Sequence, residues 1–168
     1  MKTLKGLIII LTSTLAAGLT ATAQTNLTSL DGARVDVEGQ TGKVVILAIG
    51  ASWLPLSNKQ AEFTNALAKK YAGRDVVVYF VAVDSLSTSS KNFANNDSLR
   101  KFVTSSKLSV TVLRDADGSA TLKKFNVEQV PSFVILDKAG RLVGEPFGGI
   151  DPKYDITIPI SKAIDKLL

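Results

Sequence analysis

The chain has 168 residues, 45% hydrophobic and 21% charged, with a formal net charge of +5. That is enough for one domain with a packed core. It holds no cysteine and no histidine, which excludes thiolate nucleophiles, thiol–disulfide exchange, Ser-His-Asp relays and imidazole metal ligands, and leaves carboxylates, Lys, Tyr and hydroxyls for any chemistry.

The first segment, "MKTLKGLIIILTSTLAAGLTATAQ", carries Lys2 and Lys5, an apolar stretch from Leu7 to Leu19 and then Ala21-Thr22-Ala23. This order predicts a secretory signal peptide over residues 1–23, cleaved after Ala23, with residues 24–168 as a single exported domain, periplasmic or secreted. The alternative, an uncleaved anchor, would need a longer apolar stretch. No later segment reads as a membrane span, so stable insertion after cleavage is not expected. Without Lys2 and Lys5 the formal charge falls from +5 to +3. The doublets Lys69-Lys70 and Lys123-Lys124 have no interleaved aromatics, the pattern of solvated helix faces rather than of a nucleic-acid surface.

Next, "NLTSLDGARVDVEG" alternates around Asp31-Gly32 and predicts a β-hairpin. "KVVILAIG", 43–50, and "DVVVYFVAVD", 75–84, are continuous branched apolar runs, expected of strands buried on both faces. Between them a helix fits Asn58–Tyr71, with Ala61, Thr64, Leu67, Ala68 and Tyr71 on one stripe. Strand, helix and strand make a βαβ unit with parallel pairing. The Ser/Asn-rich stretch 85–97 predicts a solvent-facing loop, long for its position; a flap over the neighbouring turn is the sharper reading. A helix over about 98–106, a short strand "SVTVLRD", and a turn with a short helix in "DADGSATLKKFNV" follow. "PSFVILD", 131–137, is a strand with proline at its first position, where a missing donor is tolerated, and "KAGRLVGEPFGG" turns into an antiparallel partner. The tail puts Ile160, Ala163, Ile164, Leu167 and Leu168 on one helical stripe, with Pro159 at its start. The order β-β-β-α-β-α-β-α-β-β-α predicts an α/β fold, a central mixed sheet with helices on both faces.

This order resembles the thioredoxin-like fold, specifically the TlpA-like and redoxin branch of exported thiol–disulfide oxidoreductases. "GKVVILAIGASWLPLSNKQAEFTNALAKKY" is similar to that family's strand, Ala-x-Trp-Cys-x-x-Cys turn and first helix. "VLRDADGSATLKKFNVEQVPSFVILDKAGRLV" is similar to its second half, where a proline after a short helix is cis and faces the dithiol. The resemblance spans about residues 26–168. It implies that Trp53 takes the family tryptophan's place, that Leu54 and Ser57 stand where the attacking and resolving cysteines would be, with Pro55 and Leu56 between them, and that Gln60 aligns with the family's proton-moving glutamate. Val130 and Pro131 remain, and a cis bond is implied there. Both sulfurs and the acid are therefore missing together.

No catalytic residue, metal site or cofactor is expected. Ser57 and Gln60 form an S-x-x-Q capping box if the helix starts at Asn58; if it starts near Pro55, Ser52 is the cap. Ser57 as a nucleophile lacks a base. Asp115, Asp117 and Gly118 resemble the opening of a calcium loop without its closing glutamate, which reads as a polar turn. Asp84, at a strand's carboxyl edge, reads as a helix or loop cap. Trp53, Leu54, Pro55, Leu56, Val130 and Pro131 are the candidate apolar patch, and the family docks an extended partner segment on that surface. The function expected is a non-catalytic peptide- or protein-binding or accessory module. The alternatives are a structural domain that is an oxidoreductase in name only, or a non-thiol enzyme.

Overall fold

The computed structural model describes residues 24–168; the signal peptide expected over 1–23 lies outside the described residues. The two branched apolar runs form the middle of the sheet: β3 (Val44–Gly50) and β4 (Val76–Ala82) pair in parallel from Val44 opposite Val76 to Gly50 opposite Ala82. Every residue of β3 is buried, because it has strands on both sides and cover on both faces. β4 pairs in parallel with β5 (Thr111–Arg114). On the other side β3 pairs antiparallel with β6 (Ser132–Leu136), and β6 with the two-residue β7 (Phe147–Gly148). The N-terminal hairpin, β1 (Asn26–Ser29) and β2 (Arg34–Asp36), joins antiparallel to β5. The seven strands run β2-β1-β5-β4-β3-β6-β7, a mixed sheet in a thioredoxin-like α/β fold.

Side-chain alternation along β3 divides the core. Val44, Ile46 and Ala48 face one layer, where α1 (Ser57–Lys70) contributes Ala61, Phe63 and Leu67, α2 (Asn96–Ser105) contributes Leu99 and Phe102, and α3 (Thr157–Ile164) contributes Ile160 and Ile164. Phe80 and Phe102 meet there with ring centroids 5.7 Å apart. Val45, Leu47 and Ile49 face the opposite layer, covered by Leu27, Val37, Phe125 and Val127. The short helix expected within residues 115–127 is reduced to a single 3-10 turn, Ala116–Gly118, followed by hydrogen-bonded turns. Asp117 and Gly118 both adopt positive φ, 58° and 66°, which no helix accommodates. The Asp115 carboxylate holds the segment by accepting from the Ala120 and Thr121 N–H groups and the Thr121 hydroxyl, so the expected polar turn is a structural cap.

Helix boundaries differ modestly from the sequence reading. α2 starts at Asn96, because the Asn95 side chain accepts from the Ser98 N–H at 2.8 Å and makes an efficient N-cap. α3 starts at Thr157, whose N–H and hydroxyl both donate to Asp155. Pro159 thus falls in the first turn, where its missing N–H costs nothing. Ile156, immediately ahead of α3, is buried as well. The loop after β4 is tied across itself by a bridge between Ser85 and Phe93.

Candidate functional site

β3 delivers the chain to the sheet edge at Gly50, and residues 51–56 turn into α1. Because Ile49 pairs with Ser132, this turn and the Val130–Pro131 bond lie at the same end of adjacent strands. The Val130–Pro131 bond is cis. Trp53 is half exposed, at 50% of its accessible surface, and Pro55 is exposed; Leu54 and Leu56 are half-buried, Leu56 packing against the helix-side core. Val130 is half-buried against the opposite layer, and Pro131 is buried. Val130's N–H and carbonyl take part in none of the hydrogen bonds found among the described residues.

The two polar positions of the turn are used up internally. Ser57 is buried, and its hydroxyl lies within hydrogen-bond reach of the Ala51 carbonyl, at 2.5 Å, and the Leu54 carbonyl, at 2.7 Å. Gln60 is fully buried; its side-chain amide donates to the Ile49 carbonyl at 3.0 Å and the Ser132 carbonyl at 3.1 Å. The capping box therefore does not form. Ser57 is the first residue of α1, Leu56 precedes it, and no side chain caps the helix. The glutamine amide is instead drawn inward, because two carbonyls on neighbouring strands converge where only a donor fits. Gly50 makes room for it: a Cβ there would stand 2.0 Å from the Gln60 Oε1.

Nor does Ser52 cap the helix. Its N–H and hydroxyl both donate to Asp84, the hydroxyl at 2.6 Å. Asp84, two residues past β4, is fully buried, so it caps the turn after β3, as a loop cap would. Behind it stands Arg114, whose guanidinium donates to Asn96 Oδ1 and the Ala94 carbonyl. Burial lowers the Arg114 pKa, and the Asp84 charge opposes that shift. Nothing local in the sequence links Arg114, on β5, to Asp84, two residues beyond β4; the parallel register, with Ala82 opposite Arg114, places them within electrostatic reach of each other.

Among the described residues, no group of three or more His, Cys, Asp or Glu is arranged to hold a metal, and no helix is long and apolar enough to cross a membrane. Chemically the turn offers an apolar ledge and an uncommitted stretch of backbone, with no free nucleophile.

A seven-stranded sheet with this turn and this proline loop defines the thioredoxin-like class of proteins. The Redoxin family profile matches residues 16–154, and the chain belongs to that family. It is similar to the thiol-disulfide oxidoreductase ResA of Bacillus thuringiensis (strain Al Hakam), 25% identical over 121 residues, a match spanning 72% of this chain and 64% of the relative. Its fold is similar to that of a putative thiol:disulfide interchange protein DsbE from Chlorobium tepidum, with TM-score 0.68 and 22% identity over 84% of this chain and 93% of that one. It is also similar to a secreted Mycobacterium tuberculosis disulfide oxidoreductase, with TM-score 0.61 and 25% identity over 86% and 96% of the two chains.

Proposed function

We propose that this chain is an exported, redox-inactive redoxin that binds an extended protein segment on the surface formed by Trp53, Leu54, Pro55, Leu56, Val130 and Pro131. The observation that carries the reading is the way Ser57 and Gln60 are committed. The Ser57 hydroxyl sits within reach of the Ala51 and Leu54 carbonyls, and the Gln60 amide donates to those of Ile49 and Ser132, so the positions that resemble a resolving cysteine and its acid are taken up by internal hydrogen bonds. With no cysteine in the chain, thiol-based electron transfer at this turn has no carrier. Meanwhile Trp53 and Pro55 remain exposed beside the uncommitted Val130 backbone, the combination that strand-like peptide recognition uses: main-chain pairing for affinity and side-chain ledges for selectivity.

A location outside the cytoplasm is part of the proposal. It rests on the leader-like pattern of residues 1–23 and on similarity to a relative described as secreted. The competing reading, a structural domain with no ligand, draws on Leu56, which packs against the core. It leaves the exposure of Trp53 unexplained.

The test compares affinity capture from an envelope extract by the wild-type chain and by Leu54→Asp, with an insulin-reduction assay alongside. Wild type should retain proteins that the variant loses, and neither should reduce insulin. Identical captured sets would remove the binding reading, and insulin reduction would remove the redox-inactive one.

A further inference from the structure

A groove of about 840 Å3 opens next to Val130, lined by Glu128, Gln129, Ser132, Glu145, Pro146 and Gly148, with Lys123 also on its wall. Gln129 and Ser132 flank the Val130–Pro131 pair in sequence, so the groove is continuous with the uncommitted backbone. We infer that this groove receives a lysine or arginine side chain of the bound segment, an inference that rests on the proposed docking reading.

Charge supports a cation. Glu128 and Glu145 come from separate segments, one ahead of β6 and one ahead of β7, yet both line the same groove. Neither carboxylate enters an ion pair, although six salt-bridged acids occur elsewhere among the described residues. Lys123 pairs with neither of them. Two carboxylates against one ammonium make the groove locally acidic on a chain whose formal charge is +5, and a potential of opposite sign to the whole selects a partner group by charge.

Shape supports a long side chain. Gly148 lets the Gln129 and Ser132 side chains pack closely against the strand, since a Cβ there would stand 2.9 Å from the Gln129 Nε2 and 3.0 Å from the Ser132 Oγ, so a larger residue would push these two lining side chains aside. An aliphatic stem can lie over Pro146 while its charged head stays among the carboxylates, the usual compromise for Lys and Arg. Alternate side chains of an extended segment point to the same side, so a segment running along Val130 presents a residue to the groove at fixed register.

The experiment uses the purified chain and fluorescein-labelled, end-blocked nonapeptides of Val and Thr, carrying one Lys, one Glu or one norleucine at each position in turn. Anisotropy titrations give the affinities. At one position Lys should bind about fivefold tighter than Glu, the range of two partly exposed ion pairs, and the preference should shrink as salt rises. Glu128→Gln with Glu145→Gln should abolish the Lys preference and leave norleucine binding unchanged; Gly148→Val should weaken Lys and norleucine alike at that position. Thermal melts check that each variant is folded. Equal Lys and Glu affinities at every position, or a preference that survives loss of both glutamates, overturns the groove inference. If Trp53→Ala still weakens every peptide in that case, docking itself stands. Absence of binding by all peptides overturns both.

Discussion

Gln60 brings two donors to a point where the Ile49 and Ser132 carbonyls converge, and its own Oε1 has no partner. Replacing it with glutamate puts an acceptor against two acceptors. Only the protonated acid can donate there, so burial would hold the folded pKa above the unfolded value of about 4.3. A raised carboxyl pKa gives stability that is present below the unfolded pKa and lost as pH rises toward the folded one. Urea titrations of Gln60→Glu should therefore show a loss relative to wild type of about 1–3 kcal/mol near pH 4 that deepens toward neutrality; a loss that is flat with pH would contradict this. The paired substitution Leu54→Cys with Ser57→Cys asks a geometric question. If the turn keeps the dithiol spacing, the two sulfurs bridge within one molecule, and thiol titration before and after reduction should count none and then two. Persistently free thiols in the oxidised sample would mean that the turn has been rebuilt.

At the scale of elements, the helix-side layer is the larger packing unit. Phe80 of β4 is fully buried and meets Phe102 of α2. Phe80→Ala should cost about 3–5 kcal/mol in chemical denaturation, whereas Ala66→Ser, on the exposed face of α1, should change stability by no more than about 0.5 kcal/mol. The elements that carry this layer were the ones most legible in the sequence. β3 and β4 declare themselves as branched apolar runs, and α1 by its stripe, of which Ala61, Thr64, Leu67 and Tyr71 are buried. The family and fold could be read from the same phrases. What could not be read depends on partners distant in sequence. The Ser57–Gln60 spacing spells a cap locally, but Ser132, 72 residues on, draws Gln60 inward. The residues 115–127 look helical until two consecutive positive φ angles interrupt them. Of the candidate patch, the Trp53 turn and the Val130–Pro131 loop were anticipated by resemblance. The groove beside them was not, because residues 122–129 and 145–148 meet only through the β6–β7 pairing.

Across the whole molecule, the N-terminal hairpin is fastened to the far layer by Glu38, whose carboxylate accepts from the Thr25 N–H at 2.8 Å and pairs with Lys124. Burial raises the Glu38 pKa, but the Lys124 ammonium and the Thr25 N–H outweigh it, and the net position is below the ordinary glutamate value. A depressed carboxyl pKa gives stability that is present above the unfolded pKa and lost as pH falls through the folded one. Glu38→Gln should thus be less stable than wild type at pH 7 by about 1 kcal/mol or less, since the pair is partly solvated, and the two melting curves should converge as pH drops below about 4.3; a gap that widens on acidification would contradict the linkage. The same kind of interlocking bears on rebuilding a dithiol here. A thiol is a weak donor, so a lone Ser57→Cys weakens the side-chain tie to the Ala51 and Leu54 carbonyls and leaves them the Leu54 and Ser57 N–H groups, while Gln60→Glu offers at most one side-chain donor where the amide gives the Ile49 and Ser132 carbonyls two. Each single step toward a dithiol turn therefore loosens internal hydrogen bonds before a second thiol is present to form a bridge.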